Sequence, residues 1–392
     1  MEVNEKLKHL TNKQIEEVIA MYQDKSIKIS EILNRYNIEV KPNNLLKILP
    51  PTKTDNICKI CGENLYQNIR ARTLYSYGNE NQDKFCLNCG HQEYVNNGWN
   101  LKTCSCKGCE DLLRIENENK KKLIKNTYAK NENIIEFDEL IFEDQVKLIY
   151  LLFNNTFHNT SKIAPMEESD TWIKYLNRMV EIKAISVSSE SDINAFCKED
   201  FPNKYYVAKV IYDVNVNFDE KTLLDINNNS YFVENNDEED LITLLKDYIY
   251  MDLIERFEEM LVDRRLQLHI SEKANNRFIE LIDQISYTQI LELCKRVAVF
   301  FSDKTLTGNT TKSIAKNAVL LNVSKFYDRA IESDWILNHA DLEYVGEELN
   351  FYIERVLNKE ITILKDVACV DNLRNWKRRE IDYSNRIGFA EE

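Results

Sequence analysis

The chain has 392 residues, 43% of them hydrophobic, and a formal net charge of −14. That length exceeds most single cores and calls for two or three domains, while the apolar content excludes global disorder. With only 8 Gly and 5 Pro there is little punctuation for tight hairpins, so long helices are expected.

No apolar run approaches the ~18 residues of a membrane span. The opening MEVNEKLKHLTNKQ lacks the apolar stretch of a secretory signal. A cytoplasmic, reducing setting is the expectation, where the ten cysteines act as metal ligands or packed thiols and not as disulfides. The charge is uneven: residues 1–125 carry 20 Lys+Arg against 16 Asp+Glu, and the remainder 31 against 49. A mildly basic N-terminal third and a strongly acidic rest place any polyanion contact in the former. The acidic remainder suits either a solvated surface or a face for a protein partner or a second copy.

The first fifty residues read as three short helices. LTNKQIEEVIAMYQDK has Thr11 as N-cap with Gln14 three residues on, a capping box, and Ile15, Val18, Ile19 and Tyr22 at helical spacing. IKISEILNRYNIEV follows, with Ser30 as the expected cap and Ile32, Leu33 and Tyr36 on one face. KPNNLLKILPP starts a third helix with Pro42 at its first position, and Pro50-Pro51 stops it. Helices two and three, joined through YNIEV, have the lengths of a helix-turn-helix. In that scheme the third helix reads DNA through Lys41, Asn43, Asn44 and Lys47, side chains that contact phosphates and adenine edges.

NICKICGEN and KFCLNCGHQ are two Cys-x-x-Cys-Gly knuckles, Cys58/Cys61 and Cys86/Cys89, with 24 residues between them. The two-residue gap lets both sulfurs of one turn face a common centre, and the following glycine lets the backbone curl around the thiolates. One structural Zn²⁺ is expected there. TCSCKGCED then adds Cys104, Cys106 and Cys109 within six residues, and His91 directly follows the second knuckle. His91 with these three cysteines makes a second four-ligand set, so one zinc is expected and two are possible. Other arrangements remain open: Cys106/Cys109 paired with a knuckle, a distant fourth cysteine, or a redox-sensitive thiol group. Arg70 and Arg72, with Tyr75 and Tyr77, lie between the knuckles and suit backbone contact and stacking. Lys102, Lys107 and the run Lys120–Lys122 add flanking charge.

The knuckles and paired glycines resemble the zinc-ribbon and rubredoxin-knuckle class over about fifty residues. A helix-turn-helix followed closely by such a ribbon resembles, at superfamily level, bacterial DNA-binding proteins that include transposon-related and regulatory ones. That resemblance, which covers residues 1–110, implies a nucleic-acid-recognition arm over residues 1–125 and a zinc that substitutes for a core without taking part in catalysis.

Beyond the cysteines, IENENKKKLIKNTYAKNENIIEF reads as a helix fading into a linker. Helical patterns follow at FDELIFEDQVKLIYLLFNN, with Leu148, Leu151 and Leu152 inward, and at DTWIKYLNRMVEIKAI. Residues 205–218 are ambiguous, with Val214, Val216 and Phe218 alternating as in a strand. The Asn- and acid-rich stretch 225–240 marks a second boundary, and long helices fill the rest. NRFIELIDQISYTQILELCKRVAVFF is one helix or two broken near Ser286.

Catalytic signatures are sparse. Glu181-x-Lys183 matches the core of a nuclease pattern, but that pattern needs a strand and a metal-binding carboxylate, and the flanking residues keep helical spacing. His158, His269 and His339 have no ligand-spaced partners, and Cys197, Cys294 and Cys369 are isolated. The expected protein is mainly α: a helix-turn-helix over 1–53, a zinc ribbon over 54–114, a linker or helix over 115–136, a helical domain over 137–226 and a C-terminal helical domain over 238–392. Its expected role is non-enzymatic DNA binding. Two rivals stand beside it: a scaffold that docks partners through the ribbon, and a weak nuclease using Glu181 and Lys183.

Overall fold

The computed structural model describes residues 3–72, 83–95, 101–129, 133–156, 160–167, 169–342 and 344–365. The protein is mainly helical, with 54% helix and 8% strand. It divides into two compact units, Met1–Ile124 and Lys125–Glu392.

The first unit begins with three helices: α1 (Asn12–Gln23), α2 (Ile29–Arg35) and α3 (Leu45–Ile48). Thr11 caps α1 in the expected capping box, its hydroxyl accepting from Gln14 N–H while Gln14 answers to the Thr11 backbone. Helix α2 is capped differently from the expectation. Its N-cap is Lys28, which makes no side-chain bond, and Ser30 lies inside the first turn. Leu7, Val18, Tyr22, Ile32, Leu33, Tyr36, Ile38 and Leu45 pack into one core. Tyr36 sits at its edge, its hydroxyl donating to Glu17 Oε2 at 2.8 Å and its carbonyl 2.9 Å from His9 Nε2. Helix α3 is a single α turn, preceded by a 3-10 turn over Pro42–Asn44. The third helix is thus much shorter than a full reading helix, spanning about 10 Å from 42 to 48.

Four short strands follow: β1 (Thr52–Ile57), β2 (Asn64–Gln67), β3 (Lys84–Phe85) and β4 (Gln92–Glu93). They form one antiparallel sheet in the order β1-β2-β3-β4, with Tyr66 opposite Phe85 and Phe85 opposite Gln92. Its buried interior is small, consisting of Leu65, Cys58 and Cys86 with partly buried Ile60, Cys61 and Cys89. Helix α4 (Lys107–Thr127) then covers most of the stretch expected as a helix fading into a linker. Ile124 is its one buried residue, and Arg114–Glu118 and Glu116–Lys120 pairs line its surface.

The second unit is not purely helical before residue 226. It contains β5 (Ile135–Glu136), α5 (Phe142–Phe153), β6 (Lys162–Ile163), α6 (Asp170–Glu181), β7 (Ile185–Val187), β8 (Tyr212–Val214) and β9 (Val216–Asn217). Strands β6, β8 and β7 form an antiparallel sheet with β8 central, and β5 pairs with β9 in parallel. Asn215 links the two sheets: its N–H donates to Ala184 O, its carbonyl accepts from Ile135 N–H, and its buried side chain donates to Lys183 O. Helices α5 and α6 are joined by Arg178, whose guanidinium meets buried Asp144 at 3.0 and 2.8 Å. Leu148 and Leu151 point inward as expected, whereas Leu152 is only half-buried.

The Asn-rich stretch 225–240 does not separate compact units. It folds into the end of α7 (Glu220–Asn227), all of α8 (Tyr231–Asn235) and the start of α9 (Glu238–Val262). Helices α10 (Glu272–Ile282) and α11 (Tyr287–Leu306) break at Ser286, which caps α11 in a second capping box with Gln289. Helices α12 (Lys312–Glu332) and α13 (Glu347–Phe351) follow, the latter running into a π turn over Tyr352–Val356, and a 3-10 turn over Ile361–Lys365 ends the described elements. Buried Asp252 on α9 ties this part together, accepting from Tyr287 Oη, from Arg256 Nε at 3.0 Å and from Gly346 N at 2.5 Å. Among the described residues no helix is long and apolar enough to cross a membrane.

Candidate metal centres

The two Cys-x-x-Cys-Gly turns fold as twins. In the first, Gly62 N–H donates to Cys58 O at 2.9 Å and Cys58 N–H to Glu63 O at 2.7 Å. In the second, Gly90 N–H donates to Cys86 O at 3.1 Å and Cys86 N–H to His91 O at 2.7 Å. Gly62 and Gly90 have φ of +78° and +72°, a left-handed conformation that costs a side-chain-bearing residue energy and glycine little. This curl brings the sulfurs together. Cys58 Sγ lies 3.6 Å from Cys89 Sγ and Cys61 Sγ lies 3.4 Å from Cys86 Sγ, all four within 4.8 Å of one another.

Those separations discriminate between chemistries. A disulfide needs about 2.05 Å between sulfurs. Four thiolates about 2.3 Å from one tetrahedral ion sit roughly 3.8 Å apart. The cluster therefore has the spacing of a metal cage, compatible with zinc.

His91, Cys104, Cys106 and Cys109 form a second cluster of the same size. Its histidine is 1% exposed, and Nδ1 lies 3.2 Å from Cys109 Sγ and 3.9 Å from Cys106 Sγ. The other ring nitrogen, Nε2, is buried without a hydrogen bond, and Glu93 Oε1 stands 3.9 Å from it. Cys106 and Cys109 occupy the start of α4, where Cys109 N–H and Glu110 N–H both donate to Cys106 O.

Backbone N–H groups point at the sulfurs in both clusters. Ile60 N donates to Cys58 Sγ, and Gln92 N and Cys106 N donate to Cys104 Sγ at 3.2 and 3.4 Å. The Glu63 amide is the main reason the Cys61 thiol falls to about 7, and burial lifts Cys89 to about 12. Burial also acts to raise Cys104, but the amides of Cys106 and Gln92 and the neighbouring side chains outweigh it and bring that thiol down to about 6. Cys109 is pushed up to about 12 by burial first and then by its neighbouring thiols. Each cluster so pairs a thiol ready to ionise with one that holds its proton until a cation compensates the charge. All eight expected ligands are brought together, in two complete sets of four.

The nucleic-acid candidates divide. Lys41, Asn43, Asn44 and Lys47 are all exposed on the Lys41–Ile48 segment. Arg70 is half-buried on the chain leaving β2. Arg72 is placed quite differently from the phosphate contact expected of it. Its guanidinium donates to Tyr22 O at 2.5 Å, Ile27 O at 2.6 Å and Met21 O at 2.7 Å, with its Cζ 4.8 Å from the Tyr22 ring centroid. It caps the C-terminal end of α1, where helix carbonyls lack intrahelical partners and the dipole favours a cation. Tyr75 and Tyr77 lie outside the described residues.

Glu181 and Lys183 do not form a nuclease core. Glu181 ends α6, exposed and paired with Arg178, and Lys183 sits in a left-handed turn at φ +64° before β7 begins. The strand that such chemistry needs starts two residues too late. His269 is exposed and His339 bonds Thr288 Oγ1 at 2.8 Å. Cys197 and Cys294 are buried thiols, the latter raised by burial. His158 and Cys369 lie outside the described residues.

Sequence reasoning missed two residues that shape these centres. Gly108 packs against the first knuckle so tightly that a Cβ would lie 2.2 Å from Ile60 Cγ2. Its signal was the glycine between Cys106 and Cys109. Glu93, beside the His91 ring, had no signal beyond proximity in sequence. No protein-family model, curated protein or solved structure matches this chain.

Proposed function

We propose that Met1–Ile124 is a DNA-binding module built on two structural zinc ions, working in a reducing, cytoplasmic setting. The observation that carries this reading is the completeness of the ligand sets. Eight protein ligands fill two four-coordinate sites, leaving no position for a substrate or an activated water. Thiolate and imidazole donors in tetrahedral arrangement suit zinc over hard cations. Zinc held this way replaces a hydrophobic core, and the sheet's interior of one leucine and four cysteines, with Ile60 beside them, needs such a replacement.

The exposed Lys41, Asn43, Asn44 and Lys47 then supply the contact with DNA, in a short segment held by Leu45 in the core. The acidic second unit engages a protein partner or a second copy. The test is binding of the full-length, zinc-loaded protein to duplex DNA across a salt series. Affinity should fall as salt rises, and Lys47→Glu should weaken binding at least tenfold and flatten the salt slope by about one to two charges. Binding that is absent, or indifferent to salt, overturns the reading.

A second reading has one specific observation behind it. Ile57 and Leu87, beside and within the knuckles, are 56% and 47% exposed, and such apolar tips suit docking on a protein. Loss of a protein partner on Ile57→Ser with DNA affinity unchanged would favour it.

A further inference from the structure

His91 links the two clusters. Its carbonyl closes the second knuckle by accepting from Cys86 N–H at 2.7 Å, while its Nδ1 faces Cys109 at 3.2 Å. The rest of the second cluster is positioned by the first in the same way. Cys104 Sγ accepts from Gln92 N–H on β4, the strand that leaves the second knuckle. Gly108, between Cys106 and Cys109, is pressed against Ile60 inside the first knuckle. The first cluster is the more local of the two. Cys58, Cys61, Cys86 and Cys89 sit on turns closed by their own backbone bonds and by the β1–β3 sheet.

From this asymmetry we infer that the metals load in order. The four-cysteine site fills first, and the His91–Cys104–Cys106–Cys109 site becomes a metal site only on the ribbon that the first metal has folded. Filling it fixes the first turn of α4 against the first knuckle. The free-energy coupling is reciprocal, so loss of the second metal weakens the first by the same factor. Order arises because the first site holds its own geometry when alone. The inference rests on the reading of both clusters as metal sites.

Full-length protein stripped of metal under anaerobic, reducing conditions is titrated with Co²⁺, whose absorption distinguishes an all-sulfur tetrahedral site from a three-sulfur, one-nitrogen site. Wild type should take up two equivalents, the all-sulfur spectrum saturating before the mixed one grows in. Cys109→Ser should bind one equivalent with the all-sulfur spectrum. Cys58→Ser/Cys61→Ser should lower affinity at the mixed site at least tenfold. Because that variant also loses ribbon structure, Gly108→Val serves as a second probe: all eight ligands are kept, the all-sulfur spectrum persists and the mixed site weakens at least tenfold.

Simultaneous growth of both spectra, or the mixed one first, overturns the order. So does a mixed site of wild-type affinity in Cys58→Ser/Cys61→Ser or in Gly108→Val. A wild-type protein that binds no Co²⁺ would instead refute the metal reading itself.

Discussion

Gly108 and Ile60 approach so closely that the glycine has no room for a methyl group: an added Cβ would meet Ile60 Cγ2 at 2.2 Å. Gly108 lies in the first turn of α4 and Ile60 between the cysteines of the first knuckle, so the contact holds the helix start against that knuckle. Ile60 is β-branched and stiff at χ1, which prevents the clash from being relieved by a small rotation. Gly108→Ala should therefore destabilise the metal-loaded first unit by about 1–3 kcal/mol, the usual effect of overpacking. Ile60→Ala removes the obstructing atom, so the double variant should be more stable than the sum of the single effects predicts. A double-mutant cycle on thermal or denaturant unfolding measures this coupling. Strict additivity would show that the contact carries no energy.

Arg72 offers a prediction that separates architecture from ligand binding. It satisfies two carbonyls at the end of α1 and one in the loop that follows, each bond to a charged group being stronger than a neutral one. Arg72→Ala should cost about 2 kcal/mol or more of first-unit stability. Arg72→Lys should recover little, because one ammonium cannot reach three carbonyls in a fork geometry. Lys47→Glu, on an exposed side chain, should leave unfolding unchanged while altering DNA affinity. If Arg72→Ala weakens DNA binding without moving the unfolding midpoint, Arg72 is a contact residue after all.

Asp252 makes the corresponding prediction for the second unit. Its carboxylate receives Tyr287 Oη, the Arg256 guanidinium and Gly346 N–H, while Arg256 stacks on Tyr344 with Cζ 4.1 Å from the ring centroid. Asp252→Ala strands a largely buried cation and two donors and should destabilise this unit by about 3–5 kcal/mol. Gly346→Ala should also destabilise it, since a Cβ there would lie 2.6 Å from Asp252 Oδ1. Calorimetry of the full chain would show the lower-stability transition, and an unchanged melting profile for Asp252→Ala would remove the network from the account.

What could be read from the sequence followed from local rules. Thr11–Gln14 and Ser286–Gln289 are capping boxes whose partners lie three residues apart, so both helix starts were accessible to pattern reading, and the second box settles where α10 and α11 part. The eight ligands were legible for the same reason, since thiols two residues apart have few other uses in a reducing setting. The sheet formed by β6, β8 and β7 was not legible, because strands of two or three residues are too short to establish a period of two. Arg72 was misassigned because its partners are backbone carbonyls some fifty residues away, which leave no trace in side-chain identity. The stretch 225–240 reads as a domain boundary from its Asn and acid content, yet Tyr231 and Phe232 bury themselves and fold it into the unit.

Removal of metal should act on one unit only. The buried interior of the four-stranded sheet is Leu65 with Cys58 and Cys86, too little apolar surface to hold four short strands without cross-links. The second unit has an extensive core of its own, including Phe257, Phe278, Tyr287 and Tyr352. A ligand that binds only the folded state stabilises it by RT ln(1 + [L]/Kd), about 4 kcal/mol when free metal is 1,000 times its dissociation constant. A strong zinc chelator should therefore abolish the first unit's unfolding transition while leaving the second unit's midpoint in place, and added Zn²⁺ should restore it. Acid should act like the chelator, because protonating the thiolates and His91 competes with the metal for the same electron pairs. Both are checked by calorimetry of the full-length protein with zinc release followed by a coloured indicator. If the two transitions move together, the units are energetically coupled and the first unit does not stand on its metal alone.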